Sequence, residues 1–119
     1  MGFEWAEFLR LAEYLRAIND PQVSPEAAQR SAVSRAYYGA FGRARDTAQA
    51  RDGFVSRRGP EDHGRLRDHF RTRREHQLAQ RLDRLRQWRN QCDYDADVER
   101  LGEVVAAAVT TARDVVNRL

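Results

Sequence analysis

The chain has 119 residues, of which 33% are charged and 41% hydrophobic, so it is long enough for one domain with a hydrophobic core. These fractions argue against a disordered, collagen-like or disulfide-scaffold protein, and the single cysteine, Cys92, excludes an internal disulfide. All 21 basic residues are arginine. Against 18 acidic residues they give a net charge of only +3, which does not by itself indicate a nucleic-acid-binding protein.

The first helix is predicted from apolar residues that recur at three- and four-residue steps from Phe3 to Ile18, a spacing typical of an amphipathic helix. Asn19-Asp20-Pro21 should end this helix, because proline has no N–H to donate and disfavours helix in the residue before it. Ser24 as N-cap, followed by Pro25 at the first helical position, indicates the start of a second helix.

The second helix should run to about Ala50, where the following Asp52-Gly53 is a typical helix end. Gly39 and Gly42 lie in its middle, where each glycine costs about 1 kcal/mol relative to alanine. We expect these glycines to allow the close approach of another helix. The predicted buried positions of the second helix are Val33, Ala36, Tyr37, Ala40, Phe41, Ala44 and Ala48.

Two further helices are predicted before the last one. A loop around Gly59-Pro60 should extend from Phe54 to His63, and a short helix should cover Arg65 to about Arg73. The fourth helix should begin at about Glu75 and end at a break over residues 93–96. Its predicted core residues are Leu78, Leu82, Leu85, Trp88 and Cys92.

The last helix should begin after Asp97, its predicted N-cap. Three valines widen its apolar edge, which favours burial against a second copy in a homodimer; alternatively, this helix lies at the centre of its own bundle. Residues 1–119 are therefore predicted to form one all-α domain, an antiparallel four-helix bundle with an additional short helix. The apolar edge consists of Leu101, Val105, Ala108, Ala112, Val115 and Leu119, and the widening valines are Val104, Val109 and Val116.

The charges are distributed unevenly along the chain. Residues 57–91 contain eleven arginines and five acidic residues, whereas residues 92–119 contain three arginines and six acidic residues. The basic segment can be a face that binds phosphate groups, or a solvated surface with internal ion pairs.

Motifs of common enzymes are missing from the sequence. Residues 39–42 contain two glycines, but they lie within a predicted helix and match no phosphate-binding loop. His63, His69 and His76 are spaced by six and seven residues, without the four-residue spacing of paired metal ligands on a helix. We therefore predict no metal site and no cofactor.

Three segments carry a resemblance to a known family. Ser34 to Phe41 reads Ser-Arg-Ala-Tyr-Tyr-Gly-Ala-Phe, His63-Gly64 follows the next loop, and Arg89 to Asp95 reads Arg-Asn-Gln-Cys-Asp-Tyr-Asp. In this order the segments resemble the HEPN family (higher eukaryotes and prokaryotes nucleotide-binding), especially its small bacterial branch. The resemblance covers residues 3–118. It implies a bundle of four to five helices that forms a dimer, in which the arginine motifs of two protomers meet at a cleft.

The resemblance also implies an activity, because many members of the family are metal-independent endoribonucleases of bacterial defence or toxin–antitoxin systems. Their motif is an arginine, a polar residue and, four to six positions later, a histidine. Arg89 and Asn90 match its first half. At the positions where the histidine should follow, this chain has Tyr94, Asp95 and Ala96.

Cleavage of RNA without a metal ion requires a base for the 2′-hydroxyl group, an acid for the leaving oxygen and a cation for the charged phosphorane. Arg89 can supply the cation, and Tyr94 a donor or acid. Asp93 or Asp95 can supply the base if its surroundings raise the pKa of its carboxyl group, or His63, brought close by the fold, can take this role instead. Arg89 and Asp93 can alternatively form an i,i+4 pair that only closes a helix end. The expected catalytic residues are Arg89, Asn90, Asp93, Tyr94 and His63, and those that bind RNA or a nucleotide are Arg35, Tyr38 and Arg86.

Two functional classes remain open at this point. In the first class, the chain is an RNA-binding or RNA-cleaving effector of a defence or toxin–antitoxin module; in the second, it is a non-catalytic nucleotide-sensing or partner-binding subunit. In the second class, the resemblance implies a nucleotidyltransferase or a larger defence protein as partner, with Tyr94 as a position for modification by AMP. The sequence shows no signal peptide and no long apolar span, so we expect a cytoplasmic protein without membrane contact.

Overall fold

Helices make up all the regular secondary structure of residues 2–119, the part of the chain that the computed structural model describes. This confirms the predicted all-helical class. Two of the five helices, the first and the third, have only 12 residues each, so the first helix is shorter than predicted. The helices are α1 (Ala6–Ala17), α2 (Pro25–Asp52), α3 (Glu61–Thr72), α4 (His76–Tyr94) and α5 (Leu101–Arg118).

The helix α2 is the centre of the fold. Its 28 residues span about 42 Å at 1.5 Å per residue, and it packs against α1, α4 and α5, while α3 packs mainly on α4. Both predicted ends of α2 are confirmed. The Ser24 hydroxyl oxygen accepts from the backbone N–H of Ala27 at 3.2 Å, and Gly53 ends the helix in the left-handed region with φ 73°.

The core consists mainly of small and medium apolar side chains, and every predicted buried position of α2 is buried. The two glycines of α2 permit close contact with the N-terminal segment, as predicted. A Cβ atom on Gly39 would lie 3.1 Å from the backbone nitrogen of Leu9, and one on Gly42 would overlap the Trp5 ring. The other core residues include Leu9, Ala12, Leu66, Phe70, Leu78, Ala79, Leu82, Leu85, Cys92, Val105, Ala108, Val109, Ala112 and Val115.

The predicted loop up to His63 is wrong, because α3 begins at Glu61 and His63 lies within its first turn. The carboxylate of Asp62 explains the early start. It is 3% exposed and accepts from the backbone N–H groups of Arg57 and Arg58, so the preceding loop folds back onto the helix. Pro60 at the helix start and two acidic residues in the first turn are signals of this helix that the loop interpretation overlooked.

The predicted break over residues 93–96 begins later, because Asp93 and Tyr94 still belong to α4. Asp97 is not the cap of α5, so this prediction is also wrong. Arg100 occupies the N-cap position with φ 55°, and its carbonyl oxygen accepts from the backbone N–H groups of Glu103 and Val104. No side chain caps this helix start.

The extra valines of α5 all pack against neighbours within the chain. Val109 is 1% exposed, and Val104 and Val116 pack against the core while partly exposed. The helix contacts α1, α2 and α4, which agrees with the alternative that the last helix is surrounded by its own neighbours. The homodimer stays a prediction, and of these valines only Val104 and Val116 remain partly accessible to a second copy.

Candidate functional site

Tyr38 of α2 lies between two arginines, one from its own helix and one from α4. The guanidinium carbons of Arg35 and Arg89 are each 5.2 Å from the centre of the Tyr38 ring. Arg35 also lies 4.8 Å from the ring centre of Phe8 in α1. The negative faces of these rings favour both cations, so the aromatic residues position the two guanidinium groups.

Arg89 makes its other contacts with neighbours on α4. Its Nε atom forms an ion pair with Asp93 Oδ2 at 3.0 Å, but the N–H group of Nε does not point at this oxygen and makes no hydrogen bond. Its Nη1 atom donates a hydrogen bond to Asn90 Oδ1 at 3.0 Å. Ser34 donates to Asp93 Oδ2 at 3.4 Å and thereby connects α4 with α2. Tyr94 is 74% exposed, with its ring centre 5.6 Å from the Arg89 guanidinium carbon.

His63 lies among the aromatic rings of α2. Its ring stacks on Phe41, with centres 4.4 Å apart, and on Tyr37 at 5.5 Å, both with an interplanar angle of 19°. The Tyr38 ring is 6.1 Å away, so Tyr38 adjoins both His63 and Arg89. Burial lowers the pKa of His63, and the charges of Arg89 and other nearby arginines lower it further. The imidazole is therefore neutral at pH 7.

The hydrogen bond between His63 and Tyr37 assigns the proton of the imidazole ring. Tyr37 is 1% exposed, and burial raises the pKa of its hydroxyl group, which stays protonated. Because this hydroxyl group keeps its proton and is hydrogen-bonded to His63 Nδ1, we assign it as the donor to that nitrogen. The proton of the neutral imidazole is then on Nε2, which makes Nε2–H a donor and leaves no lone pair there for a base.

Two further arginines add positive charge beside His63. Arg67 lies one helical turn after His63 in α3, with Nε 3.4 Å from Asp83 Oδ1 and a side chain only 16% exposed. Arg86 Nη2 donates to the same oxygen at 3.0 Å. Burial, followed by the charge of Arg86, lowers the pKa of Arg67. Because two guanidinium groups share one carboxylate, this part of the site retains a positive charge.

The predicted site residues are brought together by α2, α3 and α4, through contacts or through the effects of their charges. Sequence reasoning missed Arg67, because it assigned His63 to a loop and so hid the four-residue spacing of the two side chains. We define the Arg89 cluster as Ser34, Arg35, Tyr37, Tyr38, His63, Arg67, Arg86, Arg89, Asn90, Asp93 and Tyr94.

Arg30, which sequence reasoning also left without a role, holds the end of α4 against α2. Its Nη1 atom donates to the carbonyl oxygens of Cys92 and Asp95 at 3.1 and 2.6 Å, and its Nη2 atom donates to that of Ala96 at 2.9 Å. A helix end leaves such carbonyl oxygens without intrahelical partners, and a cation there is favoured. Arg30 therefore positions the turn that carries Asp93 and Tyr94.

A cavity of about 410 Å³ lies beside the Arg89 cluster and shares two residues with it, Tyr38 and His63. Two larger openings, of about 600 and 540 Å³, lie along other parts of α4, and no Phe, Tyr or Trp lines them. The smaller cavity therefore combines proximity to the cluster with aromatic walls. Its lining consists of Trp5, Tyr38, Phe41, Arg45, Arg58, Gly59, Pro60, Asp62 and His63.

Within residues 2–119, no three His, Cys, Asp or Glu side chains form a group that could hold a metal ion. None of the helices in the same part of the chain is long and apolar enough to cross a membrane. In comparisons with known proteins, no family model, curated protein or solved structure matches the chain.

Proposed function

We propose that the chain is a small HEPN-like protein of a bacterial defence or toxin–antitoxin module, which binds RNA at the Arg89 cluster and cleaves it as a metal-independent endoribonuclease dimer. One observation carries the proposal. His63 and Arg89 both adjoin the Tyr38 ring, at 6.1 and 5.2 Å, so the fold supplies a histidine beside the motif arginine although residues 94–96 contain none.

The proposal includes the finer architecture that the resemblance implies, a HEPN-type antiparallel four-helix bundle with an additional short helix. The packing of α2 against α1, α4 and α5 supports it, since four helices then surround one core. The position of α3, which packs mainly on α4, agrees with an additional helix that brings His63 to the site.

The chemistry follows from the donors and acceptors of the cluster. The 2′-oxygen of a nucleotide attacks the adjacent phosphorus and the bond to the 5′-oxygen breaks, which leaves a cyclic phosphate and a 5′-hydroxyl group. The Asp93 carboxylate takes the 2′-hydroxyl proton, and the Tyr94 hydroxyl group protonates the leaving oxygen. Arg89 and the Nε2–H group of His63 donate to the phosphorane oxygens, where negative charge develops.

A second candidate function is a non-catalytic nucleotide-sensing or partner-binding subunit that works with a nucleotidyltransferase or a larger defence protein. The hydrogen bond from Tyr37 favours it, because His63 then presents a donor instead of a base. The 74% exposure of Tyr94 also favours it, because the hydroxyl group is accessible to a partner enzyme. In such a modification, the Tyr94 oxygen attacks the α-phosphorus of ATP and pyrophosphate leaves.

The nuclease proposal is tested with purified protein and total RNA in EDTA. We expect the wild-type chain to cleave RNA, and Arg89→Ala to reduce the rate about 100-fold, because the loss of one donor to a developing charge costs roughly that much. Arg81→Ala is the matched control, since Arg81 is on α4 outside the Arg89 cluster and should leave the rate unchanged.

If the wild-type chain and Arg89→Ala cleave equally little, the nuclease proposal is wrong. RNA binding at increasing salt then separates the two remaining roles. Binding that weakens with salt and is reduced in Arg89→Ala retains the RNA-binding part of the proposal. Binding that is absent or equal in the two proteins leaves the partner-binding subunit.

A further inference from the structure

Two arginines, Arg45 and Arg58, line the cavity beside the Arg89 cluster. Arg45 and Arg58 have no carboxylate within ion-pair distance in residues 2–119, although their neighbours do: Arg43 pairs with Glu4 at 3.3 Å, and Arg65 with Asp62 at 2.7 Å. Two guanidinium groups without acidic partners at one cavity favour a ligand that carries negative charge.

The loop that carries Arg58 is held in place from within. The buried Asp62 carboxylate accepts from the Ser56 hydroxyl group at 2.5 Å and from the backbone N–H groups of Arg57 and Arg58 at 3.0 and 3.1 Å. Arg58 itself has φ 58°, a left-handed conformation that costs roughly 1 kcal/mol for a residue other than glycine. A loop fixed in this conformation orders the Arg58 backbone before any ligand binds.

The walls of the cavity are aromatic. Trp5 occupies the space left by Gly42, and the rings of Tyr38, Phe41 and His63 complete the lining. The guanidinium carbon of Arg45 lies over the rings of Trp5 and Phe41, 4.9 and 5.4 Å from their centres, so this cation packs against the aromatic surface. Planar apolar surface and unpaired positive charge therefore meet in one cavity.

We infer that this cavity binds a single nucleotide, with the phosphate on the guanidinium groups of Arg45 and Arg58 and the base against the aromatic walls. Its volume of about 410 Å³ lies in the range of small-molecule sites. The Asp62 carboxylate also lines the cavity, but it is occupied by the loop hydrogen bonds and by Arg65. The site is separate from Arg89 and Asp93 and does not require that the chain cleave RNA.

The nucleotide can be a free mononucleotide or one nucleotide of an RNA strand, because both present a base and a phosphate. The second source rests on the proposed function, in which RNA lies across the Arg89 cluster. Tyr38 and His63 belong both to this cavity and to the cluster, so an RNA strand bound at the cluster lies next to the opening of the cavity.

The test measures AMP binding by tryptophan fluorescence in a Trp88→Phe background, in which Trp5 is the only tryptophan. We expect AMP to quench Trp5 fluorescence and to bind more tightly than adenosine or inorganic phosphate. Arg45→Gln and Arg58→Gln should each raise the Kd for AMP about tenfold, the loss expected for one hydrogen bond to a charged group. Arg16→Gln, on α1 and outside the cavity, is the charge-matched control and should bind AMP as before.

A short single-stranded RNA separates the two sources. If it displaces AMP, the pocket accepts a nucleotide within a strand, and if it does not, the pocket takes free nucleotides. Arg89→Ala should keep its affinity for AMP even if it loses RNA cleavage. Loss of cleavage therefore tests the proposed function, and loss of AMP binding tests the cavity. The inference is wrong if AMP binds no more tightly than phosphate, or if Arg45→Gln and Arg58→Gln bind AMP like the parent protein.

Discussion

At the scale of single residues, Asp62 connects a buried charge to the position of the candidate site. Its carboxylate is 3% exposed and accepts hydrogen bonds from three consecutive residues of the loop, Ser56, Arg57 and Arg58, and from Arg65. Burial alone would raise the pKa of Asp62, but these hydrogen bonds lower it to about 2. The ionised form is thus the one that fixes the loop and the first turn of α3, where His63 lies.

This pKa predicts how stability depends on pH. Because the pKa of Asp62 falls from about 4 in the unfolded chain to about 2 in the folded one, its contribution is present above pH ~4 and is lost as the pH falls toward 2. Asp62→Asn should lower the free energy of unfolding by about 2 kcal/mol at pH 7 and flatten its decrease between pH 4 and 2. Urea denaturation at several pH values measures both effects.

The control for Asp62 is Asp68→Asn in the same helix, since the Asp68 side chain is 75% exposed and its removal should change stability little. If the free energy of unfolding depends on pH equally in Asp62→Asn and the wild-type chain, the ionised Asp62 carboxylate does not stabilise the loop.

Part of the candidate site was readable from the sequence at this scale. The motif identified Arg89, Asn90, Asp93 and Tyr94, which are close together in the chain and share the end of one helix. The hydrogen bonds of Arg30 to the end of α4 could not be predicted, because the carbonyl oxygens that accept them lie 62 to 66 residues away in the chain. No local pattern encodes a hydrogen bond that exists only after two helices have packed.

At the scale of helices, the contact between α2 and the end of α4 determines how firmly the Arg89 cluster is held. Arg30 supplies three hydrogen bonds to carbonyl oxygens there, with a side chain 18% exposed. The last turn of α4 has no basic residue of its own to offset the helix dipole. The positive charge that this helix end requires comes from a different helix.

Removal of this charge should open the end of α4. We expect Arg30→Gln to accelerate the reaction of the Cys92 thiol with a thiol reagent about tenfold, because Cys92 is 3% exposed and reacts only when its surroundings open. The rate is measured under native conditions, with Arg10→Gln as the control, since Arg10 is an exposed residue on α1. Unchanged labelling in Arg30→Gln would show that its hydrogen bonds do not hold this helix end.

Helix boundaries were predictable where a residue acts on its own neighbours. Ser24 and Gly53 cap α2 through contacts within five residues, and both were predicted. The starts of α3 and α5 were not, since the first depends on the buried Asp62 and the second on the left-handed backbone of Arg100. For α3, local signals were present in Pro60 and the two acidic residues of the first turn but were overlooked, whereas no residue preference indicates the left-handed Arg100 at the start of α5.

At the scale of the whole molecule, none of the large exposed apolar side chains in residues 2–119 belongs to α5. Leu11 and Tyr14, one turn apart on α1, are 40% and 63% exposed, and Tyr94 beside the Arg89 cluster is 74% exposed. If the dimer that the HEPN resemblance implies forms, these residues are more exposed and so more available to it than the partly buried Val104 and Val116 of α5.

We expect the chain to be a homodimer at micromolar concentration, with twice the 13.8 kDa mass of one chain. Burial of exposed aromatic and aliphatic side chains against a second copy provides the driving force. Light scattering coupled to size exclusion measures the mass over a concentration series. A mass of one chain throughout the series would contradict the dimer and, with it, a cleft formed by two protomers.

The central position of α2 has a consequence for the order in which the protein assembles during synthesis. Helix α1 precedes α2 and can pair with it early, but α4 and α5, which cover other parts of α2, are made after it. Until α5 has left the ribosome, an apolar side of a 28-residue helix stays open to water and to other nascent chains.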